Sequence, residues 1–377
     1  MRHNFLMSNE TLFRDLDVLD IDHMPEIFRF RDTQLRQIAE CIRPAIHGGR
    51  PLNMILRGPP GTGKTTSVKR CFTEIEEAIP GIIPVFVNCQ TVQTEYRVFR
   101  KIYAAVFRQK PPVSGVSVPS LIEALCEELI RRGAVLLICL DDANFLFHDH
   151  ILERVLRSLL RLHEEYPGVK TGVIATINSP DISILPFLSP SVISVFRPNE
   201  VIFPPYGEEE VRAILHDRVR AGLYPDVLPS KVLDAIVQET MRDTDLRVGI
   251  SLLHAAVRLA ESDGRKTVTG ADVRTAVLRV GHPHLKQVVR GLREDERRML
   301  CRMAVLHQTG EGEMVSGKLY RALQAEVPMC YTLFFERLEK FRNLGLIEMF
   351  RPPYHGNTRQ IVLRYDAGTV REACGVG

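Results

Sequence analysis

NMILRGPPGTGKTTSVKR, residues 53–70, runs from an apolar stub through a glycine-rich turn into a lysine and two threonines. That order predicts a strand, a phosphate-binding loop and a helix. From Gly58 through Pro59, Pro60, Gly61, Thr62, Gly63 and Lys64 to Thr65 the spacing GxxxxGK[ST] is complete, and the flanking strand and helix give the motif the context it needs. Glycines let the backbone curl until successive N–H groups face phosphate oxygens, and the following helix adds the positive end of its dipole. Lys64 then meets the β- and γ-phosphates, and the Thr65 hydroxyl takes a place on Mg²⁺. With Thr66, the stretch forms the expected binding set for ATP or ADP. A glycine-rich turn that binds nothing would need neither the lysine nor the hydroxyl.

A second element must supply a carboxylate for the metal. VLLICLDD, residues 135–142, is a hydrophobic strand ending in Asp141, placed to reach the Mg²⁺ shell, and Asp142, placed to polarise the attacking water. Around these motifs, between residues 52 and 203, the apolar runs NMIL, PVFVNC, VLLICLDD and TGVIATIN alternate with amphipathic stretches such as TEYRVFRKIYAAVFRQ and VPSLIEALCEELIRRG. Strands buried on both faces and separated by crossover helices predict a parallel sheet in an α/β layer fold. Upstream lies a helical lead-in with Leu35, Ile38, Ile42 and Ile46 at helical spacing. After FPPYG, residues 203–207, the strand signal stops and four helical patterns follow, punctuated by Gly and Pro. A polar connector, HPHLKQVVRG, then leads to a third block from about residue 292 to 366.

Composition narrows what these parts can belong to. A chain of 377 residues, 45% apolar and 25% charged, can bury a sizeable core in two or three domains. The net charge of +3, from 49 basic and 46 acidic residues, leaves any nucleic-acid surface to local placement. Eight cysteines include no CxxC and none pairs with histidine at metal-ligand spacing, so they read as reduced thiols of an intracellular protein. The longest apolar run, AVLLICL at 134–140, is too short to cross a bilayer, and the N-terminal stretch lacks an apolar core of export length. A cytoplasmic protein without a membrane partner is expected.

The segments RGPPGTGKT, LLICLDDAN, VIATINSPD, NEVIFPPY and TDLRVGISLLHAA fall in the order of an AAA+ ATPase. Together they resemble the archaeal origin-recognition initiators related to the eukaryotic origin recognition complex and the cell-division-control replication factor, from about His23 to Asp366. This resemblance implies an α/β fold of three parts: an AAA+ P-loop domain at 1–206, an all-helical lid at 207–285 and a winged-helix DNA-binding domain at 286–366. Residues 367–377 would be a flexible tail. It implies that Asn178 senses the γ-phosphate, and that Arg247, opening a lid helix, is the second sensor; Lys64, Asp142, Asn178 and Arg247 form the expected catalytic set. Two departures point to slow turnover. The family's DPRV arginine reads Ser191 here, with Arg197 six residues on as a substitute, and Asp142 stands where a longer Glu is common. Slow ATP hydrolysis would then serve as a switch.

The third block reads as helix, short strand, helix, helix and hairpin. From Lys286 to Arg364 it holds fourteen Lys/Arg against nine Asp/Glu, more positive charge than the whole chain's net. In the last helix Phe334, Leu338 and Phe341 share a face, which leaves Thr332, Arg337, Lys340 and Arg342 as expected DNA contacts. Arg351, Asn357 and Arg359 would lie along the wing. The partners implied are double-stranded origin DNA, a replicative helicase and other initiator copies, which places the protein at the nucleoid. Three function classes are open at this point: an ATP-dependent origin-binding initiator, a clamp-loader-like or remodelling motor, and a signalling NTPase whose winged helix binds protein.

Overall fold

Residues Val135–Asp141 show why a sheet forms: all are buried, with Leu136, Ile138 and Leu140 in one hydrophobic cluster and Val135, Leu137 and Cys139 in another. Period-2 division between two apolar layers is what a strand covered on both sides requires. The computed structural model describes residues 11–111, 116–147, 150–178, 184–243, 245–280, 283–309, 314–324, 326–350, 359–365 and 367–375. The chain forms two units, Phe28–Pro205 and the described parts of Met1–Ile27 with Tyr206–Gly377.

The first unit runs α1 (Asp32–Ile46), β1 (Met54–Arg57), α2 (Lys64–Ala78), β2 (Ile82–Asn88), α3 (Glu95–Phe107), α4 (Val118–Arg132), β3 (Val135–Asp141), α5 (Ile151–Leu160), the single turn α6 (Leu162–Glu165), β4 (Lys170–Ile177), α7 (Pro190–Phe196) and β5 (Asn199–Ile202). All five strands are parallel, in the order β2-β3-β4-β1-β5. α1 and α2 cover one face, while α3, α4, α5 and α7 cover the other. β5 is the strand that the apolar runs do not announce. It sits at the edge, and of its four residues only Val201 is buried, so neither a run nor an alternation marks it. The order sets β3, β4 and β1 side by side, which brings the segments after their carboxyl ends onto one edge of the sheet. Ligands of parallel sheets bind there.

In the second unit α8 (Glu208–Gly222), α9 (Ser230–Asp243), α10 (Leu246–Ser262) and α11 (Gly270–Val280) coincide with the four helical patterns. The expected polar connector is instead helix α12 (Pro283–Gly291), which buries Leu285, Val288 and Val289 at positions i, i+3 and i+4. Then come α13 (Glu294–Thr309), α14 (Ser316–Gln324), α15 (Tyr331–Asn343), an antiparallel pair β6 (Ile347–Phe350) and β7 (Gln360–Leu363), and α16 (Ala367–Ala373). Val315 bridges Gln360 between α13 and α14. Residues 367–373 of the expected tail are instead helix, with Ala367 and Val370 buried in the same hydrophobic cluster as α13 and α15. Residues 351–358 between β6 and β7, with Arg351 and Asn357, lie outside the described residues.

Residues 11–27, expected with the nucleotide domain, group with the helical unit instead. Phe13 bridges Leu223, and the Arg14 guanidinium donates to the Ala221 carbonyl at 2.8 Å. From α8 the buried Arg218 donates to the carbonyls of Val18 and His23. Among the described residues no helix is long and apolar enough to cross a membrane.

Candidate nucleotide-binding site

The loop after β1 is held by backbone approach. A Cβ on Gly58 would lie 2.1 Å from the Phe203 carbonyl oxygen, so only glycine fits. Gly63 caps α2 with φ of 88°, the left-handed region that glycine enters without strain. Thr62 Oγ1 donates to the Pro59 carbonyl at 2.8 Å. Lys64 is 4% exposed, and its Nζ donates to the carbonyls of Gly58 and Pro59, each at 2.7 Å. Thr65 and Thr66 follow, half-buried, in the first turn of α2.

Neighbouring strands bring the carboxylates to this loop. Thr65 Oγ1 lies 3.0 and 3.1 Å from the two Asp141 oxygens. Thr176 on β4 donates to Asp141 at 2.8 Å and accepts the Asp142 N–H at 2.8 Å. Burial, then the neighbouring Asp142 charge, raises the Asp141 pKa to about 6, against the opposing pull of Thr176, Thr65 and Lys64. Asp142 turns the chain out of β3 with left-handed backbone, φ 56°, a strained conformation of the kind found at functional sites. Its carboxylate accepts from two amides, Asn178 Nδ2 and Gln90 Nε2.

A hydroxyl and a carboxylate in contact beside a buried lysine form a hard-oxygen donor set. Among the described residues no three His, Cys, Asp or Glu side chains cluster as metal ligands. The Thr65 hydroxyl and Asp141 carboxylate are the donors Mg²⁺ takes, one or two carboxylates with phosphates and water and no all-protein cage.

Gln90 and Thr176 had no motif to announce them. Gln90 is 52 residues from Asp142 in sequence, and only the pairing of β2 with β3 makes them neighbours. Arg247 belongs to the other unit. It sits in the first turn of α10, its guanidinium bonded to Asp245 at 2.8 Å, while Asp245 also accepts the Arg247 N–H as the helix cap. Ser191 lies exposed on α7, where its carbonyl accepts from the Arg161 guanidinium at 3.4 Å, and Arg197 ends that helix.

The expected DNA contacts divide. Thr332 and Arg342 are exposed on α15, Arg342 pairing with Glu339 at 2.5 Å. Arg337 is a correction: it is 9% exposed, paired with Asp295 and 3.8 Å from the Met329 sulfur. It lies three residues after Phe334 and four before Phe341, hence on the helix's core side. Lys340 Nζ is 2.7 Å from both oxygens of Glu296, whose carboxylate also accepts the Arg293 N–H. Arg359 pairs with Glu339 and lies over the Phe335 ring, 5.6 Å from its centroid.

A five-stranded parallel sheet carrying this loop, followed by a helical lid, defines an AAA+ nucleotide-binding protein. The AAA ATPase domain family matches residues 27–171, and the Cdc6 AAA+ ATPase-type lid domain matches residues 212–277. ORC1-type DNA replication protein 2 of Methanothermobacter thermautotrophicus is 36% identical over 374 residues, 99% of this chain and 97% of that one. ORC1-type DNA replication protein 6 of Halobacterium salinarum is 38% identical over 365 residues, 96% of each. The Aeropyrum pernix ORC1 protein, solved in complex with DNA, superposes with a TM-score of 0.71 at 26% identity over 96% of each chain. The chain belongs to the family of ORC1-type DNA replication proteins, and membership in the AAA+ class implies nucleotide binding.

Proposed function

We propose that the protein is an ATP-regulated, DNA-binding initiator that recognises replication origins, remodels origin DNA and recruits the replicative helicase. The observation that carries this reading is likeness along nearly the whole chain to ORC1-type DNA replication proteins, together with a phosphate-binding loop in contact with Asp141. Gly58 to Thr66 would cradle ATP or ADP, with Lys64 between the phosphates. Thr65 and Asp141 would hold Mg²⁺, which when bound draws charge from the phosphate oxygens. Asp142, oriented by Asn178 and Gln90, would position the attacking water. Arg247 would reach terminal phosphate from the lid. Hydrolysis would be slow, because Ser191 provides no guanidinium and Asp142 is short. In this reading the unit 28–205 is the AAA+ domain, the helices from 208 to 280 with 11–27 fastened to them form the lid, and α12 to α16 form the winged-helix domain. The exposed Thr332 and Arg342 are then the α15 residues offered to DNA. Arg337 and Lys340, engaged with Asp295 and Glu296, would brace the helix.

Footprinting on genomic or plasmid DNA, with ATP and with ADP, tests the proposal. Discrete protected sites with strong salt dependence are expected, with a log–log slope near about −5 for roughly six neutralised phosphates. Rapid, polymer-stimulated turnover without site selectivity would indicate a motor instead, and absence of duplex binding in either nucleotide state would indicate a signalling NTPase.

A further inference from the structure

Arg31 stands just before α1, four residues beyond Ile27–Phe28, where the chain passes from one unit to the other. It is 2% exposed. Its guanidinium donates in three directions: Nη1 to the Phe30 carbonyl at 2.8 Å, Nη2 to the Pro204 carbonyl at 2.7 Å, and Nε to the Thr62 carbonyl at 2.8 Å. Its Cζ lies 5.9 Å from the centroid of the Phe203 ring.

The three acceptors come from three places. Phe30, held with φ of 65°, follows the first crossing between units. Pro204 precedes the second crossing, at Pro205–Tyr206. Thr62 lies within the phosphate-binding loop. A planar fork with five fixed donors can hold three carbonyls at once, whereas a lysine presents one ammonium on a flexible stem. The Thr62 bond also has a directional consequence. In a trans peptide the C=O and the following N–H point opposite ways, so holding the Thr62 oxygen toward Arg31 turns the Gly63 N–H away from it.

We propose that Arg31 is a positioning residue that couples the phosphate-binding loop to both chain crossings, so that nucleotide at the loop is felt at 28–31 and 203–206 together. This rests on the reading of Gly58 to Thr66 as a nucleotide site. The two crossings are the only covalent links between the nucleotide unit and the unit that carries the lid and α15, so any signal carried along the chain must pass through them.

Hydrogen exchange on the full chain, with and without MgATP, tests the coupling. In the wild type, the amides of Gly58 and 61–66 should slow, and those of 28–31, Phe203 and Tyr206 should slow with them by about tenfold, Pro59, Pro60, Pro204 and Pro205 carrying no N–H. In Arg31→Lys the loop should still respond to MgATP, the response at the two crossings should be lost, and the Kd for ATP should rise about tenfold through a less preorganised loop. Protection of the wild-type loop with both crossings unchanged overturns the proposal, and this arm needs no variant to fold. A folded Arg31→Lys protein that melts lower yet keeps the crossing response overturns it too, leaving Arg31 a structural brace. No protection at the loop removes the nucleotide reading itself, and the coupling with it.

Discussion

Lys64 is the residue on which the chemistry turns, and its surroundings explain why. An ammonium 4% exposed and bonded to two loop carbonyls is already placed and largely desolvated. Lys64→Ala should therefore weaken ATP binding by about 100-fold or more, the loss of a desolvated charge-assisted contact, with the fold intact. Titration calorimetry checks this, and wild-type affinity in the variant would reject the assignment. Asp141 makes the opposite bargain. Asp141 and Asp142 are adjacent carboxylates, 4% and 8% exposed, and burial and the Asp142 charge disfavour the ionised form of Asp141. Asp141→Asn should raise the melting temperature, by roughly 1–3 kcal/mol of relief, while removing Mg²⁺-dependent nucleotide binding; a variant that melts lower would count against this balance. Lys64, Thr65 and Asp141 were legible because a fixed spacing and a strand end announce them. Gln90 and Thr176 were not, since each acts through partners that only the sheet order makes adjacent, and Arg31 was not, since its acceptors Thr62 and Pro204 lie 31 and 173 positions away.

Helices and strands carry the next set of consequences. α9 and α10 touch where Gly249 faces Thr240: a Cβ at 249 would lie 2.4 Å from Thr240 Oγ1 and 3.1 Å from its Cγ2. Alanine gains about 1 kcal/mol of helix propensity over glycine, but overpacking a site this tight costs about 1–3 kcal/mol. The clash should win, lowering the melting temperature of Gly249→Ala by several degrees, and Thr240→Ala in the same chain should restore much of it. Asp272, in the first turn of α11, accepts from Arg265 at 2.6 and 2.7 Å and from the Thr269 N–H at 2.8 Å. The Arg265 bonds hold its pKa at about 2 against burial, below the ordinary ~3.9. A carboxyl lowered on folding adds stability that is complete above about pH 4 and is lost as pH falls through about 2. Asp272→Asn should cost roughly 1–3 kcal/mol at neutral pH, as hydrogen bonds to a charged group typically do, and should flatten the acid limb of a stability curve measured by urea titration. At this scale the hydrophobic period was readable throughout α8 to α11. It was readable in α15 too, where Arg337 falls inside the stripe of Phe334, Leu338 and Phe341; charge type argued for solvent, but position decided. β5 was the hardest to see, because one buried residue makes no pattern.

For the molecule as a whole, the strap at 11–27 sets the boundaries. Leu19 is 1% exposed, and Arg218 holds the neighbouring carbonyls from α8. Leu19→Ala should cost about 2–5 kcal/mol, the usual range for a buried leucine. In scanning calorimetry that loss should fall on the transition of the helical unit and leave the ATP-responsive transition of Phe28–Pro205 unmoved; a shift of the ATP-responsive transition instead would return 11–27 to the nucleotide domain. The order of the three blocks was visible in the sequence as a change from alternating strands and helices to helices alone. That the first residues cross to the later block was not, because their partners, Leu223 and Arg218, lie some 200 positions downstream.

The strap also determines how the chain would come apart. A single protease nick at Ile27–Phe28 frees no fragment, since the short N-terminal piece stays fastened through its bonds to Ala221, Gly222 and Arg218, and the other junction remains intact. Such a nicked protein should run as one particle on a native sizing column and separate only in denaturant, so liberating the helical half takes a second cut near Pro205.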